Sequence, residues 1–295
     1  MQQLKNKLAE VRSLLDSEFE KKLTLPEGKE KRLIEAMRYS AIGGGKAFRA
    51  FLVLTVGDML GLARKSALQI ATALEMVHTY SLIHDDLPAM DNDTMRRGKP
   101  TNHIQFDEAT AILAGDALLT NAFEVLSDPE GELRSETRCQ LVNLLAQMAG
   151  KSGMCAGQML DLIGEKEVLG LEEITRLQTL KTGALLRFAV IAPAVAAEAD
   201  ESTKKALEKY AACIGLMFQM TDDILDIEGD EKLMGKTLGK DKVETKSTFV
   251  TLMGLEATRE KVYKLGEDAK AALASFGEKA NLLLMASDFI LERKN

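Results

Sequence analysis

The chain has 295 residues, of which 46% are hydrophobic and 28% charged, and its formal net charge is −7. This length and apolar fraction allow a sizeable core and exclude an intrinsically disordered chain. The negative charge, with no basic stripe, argues against nucleic acid as a partner. Anionic small molecules remain possible ligands if basic side chains or metal ions gather in one place.

The N-terminal segment, residues 1–19, mixes charged residues with leucines at helical spacing and predicts an amphipathic helix rather than a secretory signal. The longest apolar run, residues 188–197, contains Pro193 and is about half as long as a membrane span. We therefore predict a cytoplasmic protein without stable membrane insertion. Three widely separated cysteines form no CxxC pair, which is typical of reduced thiols.

Apolar residues recur at helical spacing along almost the whole chain, and strand-like alternation is absent. The most regular segments are residues 50–62, 67–84, 109–126, 137–160, 172–197 and 204–227. Breaks are expected where glycine, proline and polar residues cluster. These positions are residues 128–131, 164–171, 198–202, 229–239 and 275–277. The pattern predicts an all-α protein with about ten packed helices, in which residues 1–295 form a single domain.

A glycine-rich stretch at residues 43–49, with the sequence GGGKAFR, precedes the first strongly apolar helix. Glycines before a helix start let backbone N–H groups approach an anion, and Lys46 and Arg49 lie one turn apart. The stretch lacks the GxxxxGK[ST] spacing of a P-loop. Taken alone, it indicates a solvated helix start more readily than an anion site.

The helix at residues 67–84 ends in an acidic cluster that contains Asp85, Asp86 and Asp91. Acidic groups at a helix C-terminus oppose the helix dipole, so this cluster is costly unless a cation binds it. Two arginines, Arg96 and Arg97, follow shortly afterwards. They fit either a surface ion-pair patch or a site for diphosphates.

A second acidic cluster, Asp222, Asp223 and Asp226, lies within an apolar helix. Positions four apart share a helix face, and two carboxylates ~5 Å apart repel by ~3 kcal/mol at an effective dielectric of 20. Oxygen ligands without a nearby histidine or cysteine favour Mg²⁺ over zinc. One such cluster could be a solvated helix end. Two clusters indicate facing carboxylates that hold several Mg²⁺ ions around a diphosphate.

Together these segments resemble the trans-isoprenyl diphosphate synthase family, in particular its bacterial farnesyl diphosphate synthase type. Residues 85–91 match the DDxxxxD form of the first aspartate motif, and residues 222–226 match the second motif, DDxxD. Residues 157–161, 181–183 and 239–241 match further family motifs. The resemblance spans about residues 35–250.

The resemblance implies a helical bundle around a central substrate cavity. It also implies a prenyltransferase that condenses isopentenyl diphosphate with dimethylallyl and geranyl diphosphates and yields farnesyl diphosphate. Three Mg²⁺ ions per active site and a homodimer are further implications. The implied metal ligands are Asp85, Asp86, Asp91, Asp222, Asp223 and Asp226.

The same resemblance assigns the substrate contacts. Arg96, Lys181 and Lys236 would contact the allylic diphosphate. The residues implied for isopentenyl diphosphate are Lys46, Arg49, His78 and Arg97. Thr182 and Gln219 would direct oxygen dipoles towards the allylic cation. The implied catalytic residues are Lys181, Thr182, Gln219 and Lys236.

The chain departs from the family pattern GGKRxRP, because Ala47 and Ala50 replace the second basic residue and the proline. This change could weaken the binding of isopentenyl diphosphate.

Chain length in the family depends on the residues four and five positions before the first aspartate, here Ser81 and Tyr80. Five residues of helix rise ~7.5 Å, so Tyr80 would lie deeper than the metal site. An aromatic residue at this position resembles the enzymes that make the fifteen-carbon product.

Three alternatives remain beside this hypothesis. A geranylgeranyl diphosphate synthase of the same family would share nearly all of these motifs. A class I terpene cyclase would usually have more aromatic residues than the 5% found here and a different second motif. A non-catalytic helical partner subunit of a heteromeric synthase would tend to lose its aspartates, whereas both clusters are intact.

Overall fold

The computed structural model describes residues 2–234 and 247–292, with side chains described up to residue 228 and again from residue 247. Most of this part of the chain is helical, which confirms the all-α prediction. The helices in the described residues are α1 (Gln2–Lys22), α2 (Lys31–Ala41), α3 (Phe48–Leu60), α4 (Arg64–Asp85), α5 (Asn102–Gln105), α6 (Glu108–Ser127), α7 (Ser135–Ala149), α8 (Met154–Gly164), α9 (Leu171–Gln178), α10 (Ala184–Ala196), α11 (Glu201–Met234), α12 (Phe249–Met253), α13 (Leu255–Ala272) and α14 (Asn281–Leu291).

Three short elements complete the described chain. A π-helical turn at Thr179–Gly183 joins α9 to α10, and a 3₁₀ segment at Ala274–Ala280 precedes α14. An antiparallel hairpin pairs β1 (Met95–Arg96) with β2 (Lys99–Pro100). Its turn residues Arg97 and Gly98 have φ angles of 53° and 76°. Two positive φ angles are typical of the tight turns whose twist suits a hairpin.

Two predicted helix boundaries were wrong. Residues 137–160 form two helices, since α7 ends at Ala149 and α8 begins at Met154. The chain turns sharply there, and a Cβ on Gly153 would lie 2.0 Å from the Met148 carbonyl oxygen. The predicted break at residues 229–239 begins too early, because α11 continues to Met234. The rest of that segment lies outside the described residues.

Residue contacts divide the chain into two compact units. The N-terminal unit contains Met1–Leu145 and Ala192–Glu198, and the C-terminal unit contains Ala146–Ile191 and Ala199–Asn295. In the N-terminal unit, α3 is buried on nearly all sides, as expected for a helix that is apolar around its circumference. In the C-terminal unit, buried Tyr210 of α11 donates a hydrogen bond to the carbonyl oxygen of Leu283 in α14 at 2.8 Å. Each unit therefore has its own hydrophobic core.

Two helical stretches in the described residues are long and apolar enough to cross a membrane, namely Glu108–Ser127 and Leu171–Ala196. In the second, 61% of the apolar window is buried within the protein, as in the core helix of a globular domain. In the first only 39% is buried. Length and composition alone do not make either stretch a membrane span. Helix α6 does, however, expose an apolar side that includes Ile112 and Leu113.

Candidate active site

The glycine-rich stretch forms a loop at residues 43–47 that leads directly into α3. Gly43, Gly45 and Ala47 have φ angles of 70°, 67° and 50°. Glycine adopts this left-handed conformation readily, whereas it costs about 1 kcal/mol for an alanine. The loop therefore has a defined but strained backbone, and exposed Lys46 lies at its end.

The hairpin brings Arg97 onto this loop in the N-terminal unit. A Cβ on Gly45 would lie 2.6 Å from the guanidinium carbon of Arg97, and a Cβ on Gly44 would lie 2.8 Å from its Nη1. Only glycine leaves room for the guanidinium against the loop backbone. The structure thus brings Arg97 onto the glycine-rich stretch at residues 43–49, although the two are far apart in sequence.

His78 of α4 lies beside Arg49 of α3, with Arg49 Nη1 and His78 Nε2 3.3 Å apart. Arginine can only donate, so His78 Nε2 is the acceptor in this contact. Burial lowers the pKa of His78 well below its ordinary value, and the charges of Arg49, Arg97 and Arg96 lower this pKa further. His78 is therefore a neutral acceptor that orients Arg49.

Glu75 is a buried acid one turn before His78 on the same helix, and it was not among the predicted site residues. Its Oε1 accepts a hydrogen bond from the Ala50 backbone N–H at 3.1 Å. Burial lowers the pKa values of Arg49 and Arg97, and the charge of Glu75 acts in the opposite direction on both. A proline at position 50 could not donate this bond. The available signal was a lone acid within the apolar stretch of α4.

The first aspartate cluster lies at the end of α4. Buried Asp86 accepts a hydrogen bond from Arg96 Nε at 2.6 Å. Burial raises the pKa of Asp86, and the hydrogen bond from Arg96 opposes that shift. The Asp91 backbone N–H donates to the Asp85 carbonyl oxygen at 2.8 Å. The longer DDxxxxD spacing therefore folds back, and its third aspartate returns to the helix end.

A pocket lies beside this cluster in the N-terminal unit. Its lining includes the charged groups of Asp86, Arg96 and Arg97, together with the apolar side chains of Leu82 and Ile83. The backbone at the start of the glycine-rich loop also faces it. This combination of cationic and apolar groups suits a small amphiphilic anion.

The candidates for chain length lie further back on α4. Tyr80 is 7% exposed, and its ring meets that of His84 edge-on at 5.7 Å. His84 Nε2 donates to the Ile112 carbonyl oxygen of α6 at 3.0 Å, over Gly115, where a Cβ would lie 2.1 Å from that nitrogen. Ser81 Oγ donates to the His78 carbonyl oxygen at 2.9 Å. The Tyr80 ring therefore packs against an imidazole that α6 holds in place.

In the C-terminal unit, Lys181 and Thr182 lie in the π-helical turn. Lys181 Nζ donates to Oδ2 of buried Asp161 at 2.5 Å. A Cβ on Gly157 of α8 would lie 2.1 Å from the Lys181 backbone nitrogen, so α8 can approach the turn only with glycine there. Single π-helical turns inside helices occur frequently at functional sites.

The second aspartate cluster lies on α11, one turn after Gln219. Asp222 and Asp223 are partly buried, and Asp226 is exposed. Asp223 Oδ2 accepts a hydrogen bond from the Phe249 backbone N–H, at the start of α12, at 2.8 Å. One of the two carboxylate oxygens of Asp223 is therefore already hydrogen-bonded to the protein backbone. Lys236, the remaining candidate, lies outside the described residues.

Within the described residues, no three acidic, histidine or cysteine side chains gather closely enough to hold a metal ion by themselves. Mg²⁺ at phosphate sites is usually held by one or two carboxylates together with substrate oxygens rather than by a complete protein cage. Each aspartate cluster offers oxygen donors only, which fits that mode. A diphosphate would complete the coordination.

Several known proteins are similar to this chain over most of its length. Residues 30–280 match the family model described as polyprenyl synthetase. The farnesyl diphosphate synthase of Micrococcus luteus is 48% identical over 257 residues, which cover 87% of this chain and 88% of that protein. The farnesyl diphosphate synthase of Haemophilus influenzae is 46% identical over 265 residues, or 89% of each chain. The crystal structure of an apo FPP/GFPP synthase from Zymomonas mobilis has a TM-score of 0.90 and 41% identity, covering 98% of this chain and 99% of that one. The chain belongs to the polyprenyl synthetase family.

Proposed function

We propose that this protein is a Mg²⁺-dependent farnesyl diphosphate synthase. It condenses isopentenyl diphosphate with dimethylallyl diphosphate and then with geranyl diphosphate. The observation that carries the proposal is the convergence of Arg96, Arg97 and Arg49 beside the aspartate-bearing end of α4. The relatives from Micrococcus luteus and Haemophilus influenzae are both farnesyl diphosphate synthases, which supports this product.

The cationic groups fall into two sets, as a reaction between two diphosphates requires. Arg49 and Arg97, with Lys46 and neutral His78, bind isopentenyl diphosphate at the start of α3. Arg96, Lys181 and Lys236 bind the allylic diphosphate. Within the allylic set, the hydrogen bond to Asp86 fixes Arg96 in advance, and the hydrogen bond to Asp161 fixes Lys181.

The six aspartates would hold three Mg²⁺ ions together with the allylic diphosphate. The match of the family model to residues 30–280 supports the proposal that residues 1–295 form a single domain. When bound, these ions stabilise the negative charge of the departing diphosphate. The proposed ligands are Asp85, Asp86, Asp91, Asp222, Asp223 and Asp226.

The protein's own side chains guide the reaction around that event. As the C1–O bond of the allylic substrate breaks, Arg96 and Lys181 retain the diphosphate, and the oxygens of Thr182 and Gln219 face the allylic cation. The isopentenyl double bond then forms the new carbon–carbon bond at C1. The carbocation formed on the isopentenyl part then loses a proton to the released diphosphate, which creates the new double bond. The apolar walls exclude water, which would otherwise capture the cation.

Farnesyl diphosphate is favoured as the product because the Tyr80 ring is buried and held by His84. A ring fixed in this position would close the space available to a growing prenyl tail. Geranylgeranyl diphosphate synthesis is the alternative within the family. It would require the tail to pass Tyr80.

We also propose a homodimer that works in the cytoplasm, where its water-soluble substrates are available. Exposed apolar side chains on α5 and α6 support the dimer, with Ile104, Ile112 and Leu113 exposed by 52%, 44% and 58%. Clustered apolar side chains that face water commonly mark a protein interface. A second copy of the chain is the proposed partner.

Product analysis tests the function directly. Purified protein is incubated with Mg²⁺, isopentenyl diphosphate and either dimethylallyl or geranyl diphosphate, with a chelator-treated sample as the control. A linear fifteen-carbon diphosphate, absent from the control, is the expected result. A twenty-carbon diphosphate would identify the protein as a geranylgeranyl diphosphate synthase, and a hydrocarbon product would identify it as a terpene cyclase. An absence of turnover would indicate a non-catalytic partner subunit.

A further inference from the structure

Helix α1 lies ahead of the residues matched by the family model, yet it contacts the glycine-rich loop directly. Arg12 Nη1 donates to the Gly44 carbonyl oxygen at 3.0 Å, and Nη2 donates to the Ala41 carbonyl oxygen at 3.3 Å. Asp16 Oδ1 accepts from Arg12 at 2.5 Å and from the Gly43 backbone N–H at 2.8 Å. One ion pair on α1 therefore binds three backbone groups at the entrance of the loop.

These contacts act on a segment whose sequence determines its conformation poorly. Glycine has the largest backbone freedom to lose on ordering, and residues 43–45 are three consecutive glycines. The left-handed conformations of Gly43 and Gly45 do not continue the preceding helix. External hydrogen bonds are therefore needed to select one loop conformation. The Arg12–Asp16 pair supplies them from a partly buried position, with side-chain exposures of 14% and 28%.

The loop conformation determines where the basic groups of the site lie. Arg97 packs against the backbone of Gly44 and Gly45, so a shift of this backbone would displace its guanidinium. Lys46 follows the glycines directly, and α3 begins two residues later. The Arg12 charge, one of the smaller causes of the lowered pKa of Arg97, also acts in this region. Asp16 balances that charge, so the pair acts mainly through position.

We propose that Arg12 and Asp16 are positioning residues for the isopentenyl diphosphate site. They hold residues 43–47 in the conformation that brings Lys46 and Arg97 to one diphosphate. The inference rests on the proposed function, because it takes that loop as the binding site for the second substrate. It adds a part of the chain that the family motifs do not contain.

Steady-state kinetics of Arg12→Ala test the proposal, with each substrate varied in turn. We expect KM for isopentenyl diphosphate to rise about tenfold, while kcat and KM for geranyl diphosphate change less than about twofold. Arg12→Lys should restore part of the loss, because an ammonium can reach one of the two carbonyl oxygens. Asp16→Asn should have a smaller effect, since its amide oxygen can still accept from Gly43.

The matched control is Lys21→Ala, which removes the Lys21–Glu18 ion pair (2.6 Å) in the last turn of the same helix. It should leave both KM values unchanged. Hydrogen exchange without substrate gives a second readout that does not depend on catalysis. Exchange at Gly43 should become at least about tenfold faster in Arg12→Ala and remain unchanged in Lys21→Ala.

Two results would overturn the positioning role. One is an unchanged KM for isopentenyl diphosphate in Arg12→Ala beside a raised KM in Lys46→Ala. The other combines two observations on Arg12→Ala, Asp16→Asn and Arg12→Lys. In all three variants, kcat/KM falls equally for both substrates, while hydrogen exchange at Gly43 stays as slow as in the wild type. An unchanged KM in Lys46→Ala instead overturns the proposed role of Lys46. In that case faster exchange at Gly43 in Arg12→Ala still supports the contact with α1.

Discussion

His78 is surrounded by positive charge, and this has a consequence for pH dependence. Its pKa lies well below the ordinary value because of burial and because of Arg49, Arg97 and Arg96. An unfolded chain protonates histidine near pH 6.5. Between that pH and the lower pKa of the folded state, the unfolded chain binds more protons. Folding stability therefore falls as the pH falls through this window.

The change His78→Asn should remove this contribution. Below about pH 6.5, one proton taken up only by the unfolded chain costs at most ~1.4 kcal/mol of stability per pH unit. The free energy of unfolding of the wild type should therefore fall more steeply than that of the variant between pH 7.5 and pH 5.5. Urea unfolding at both pH values measures the two slopes, and equal slopes would mean that His78 titrates normally.

We propose Tyr80 as the residue that limits the chain length of the product. Tyr80→Ala removes a buried ring and should lengthen the main product beyond fifteen carbons, at a cost in stability of about 3–5 kcal/mol. Tyr80→Phe keeps the ring and serves as the control, with farnesyl diphosphate still expected. Chromatography of the dephosphorylated products reports the lengths. If a folded and active Tyr80→Ala variant still made only farnesyl diphosphate, Tyr80 would not limit chain length.

At the scale of elements, the π-helical turn depends on the close approach of α8. Gly157→Ala would place a Cβ 2.1 Å from the Lys181 backbone nitrogen, so the turn or α8 must move. Forced overpacking of this kind typically costs about 1–3 kcal/mol. We expect a lower melting temperature and a reduced kcat/KM for the allylic substrate, because Lys181 moves with its backbone.

Met159→Ala on the same helix is a suitable control, because Met159 is 58% exposed. Thermal melts and kinetics of both variants with geranyl diphosphate as the varied substrate make the comparison. If Gly157→Ala has the same melting temperature and the same kcat/KM as Met159→Ala, the tight packing of α8 on the turn has no functional role.

The elements that could be predicted from sequence are those with local signals. The apolar period of α4 and its acidic end are adjacent in sequence, as are the apolar residues and aspartates of α11. The β1–β2 hairpin could not be predicted because two-residue strands show no alternation. The π-helical turn also escaped prediction, since one wider turn leaves the helical pattern almost unchanged.

The residues of the candidate site that were missed depend on distant partners. Glu75 bonds a backbone group 25 positions away, and Arg12 bonds one 32 positions away. Neither contact follows from composition, spacing or helical period. Arg97 was identified as basic, but its packing on the loop depends on the turn that places it in a left-handed conformation.

At the scale of the whole molecule, a chain of net charge −7 is proposed to bind two diphosphates. Like charges repel, so binding these anions depends on where the basic side chains lie and not on the net charge. The N-terminal unit concentrates arginines around the start of α3 and the hairpin, and each unit contributes one aspartate cluster. We propose that both clusters are needed for the protein to bind Mg²⁺ and the allylic diphosphate.

Calorimetric titration with a non-ionising thiolo analogue of geranyl diphosphate tests that claim most directly. The titration compares wild type, Asp85→Asn and Asp222→Asn, with and without Mg²⁺, and uses the 80% exposed Glu201→Gln as a control. We expect Mg²⁺ to tighten wild-type binding and each aspartate variant alone to raise Kd at least about tenfold, or ~1.4 kcal/mol. Weakened binding in Asp85→Asn but wild-type affinity and Mg²⁺ dependence in Asp222→Asn would contradict the claim.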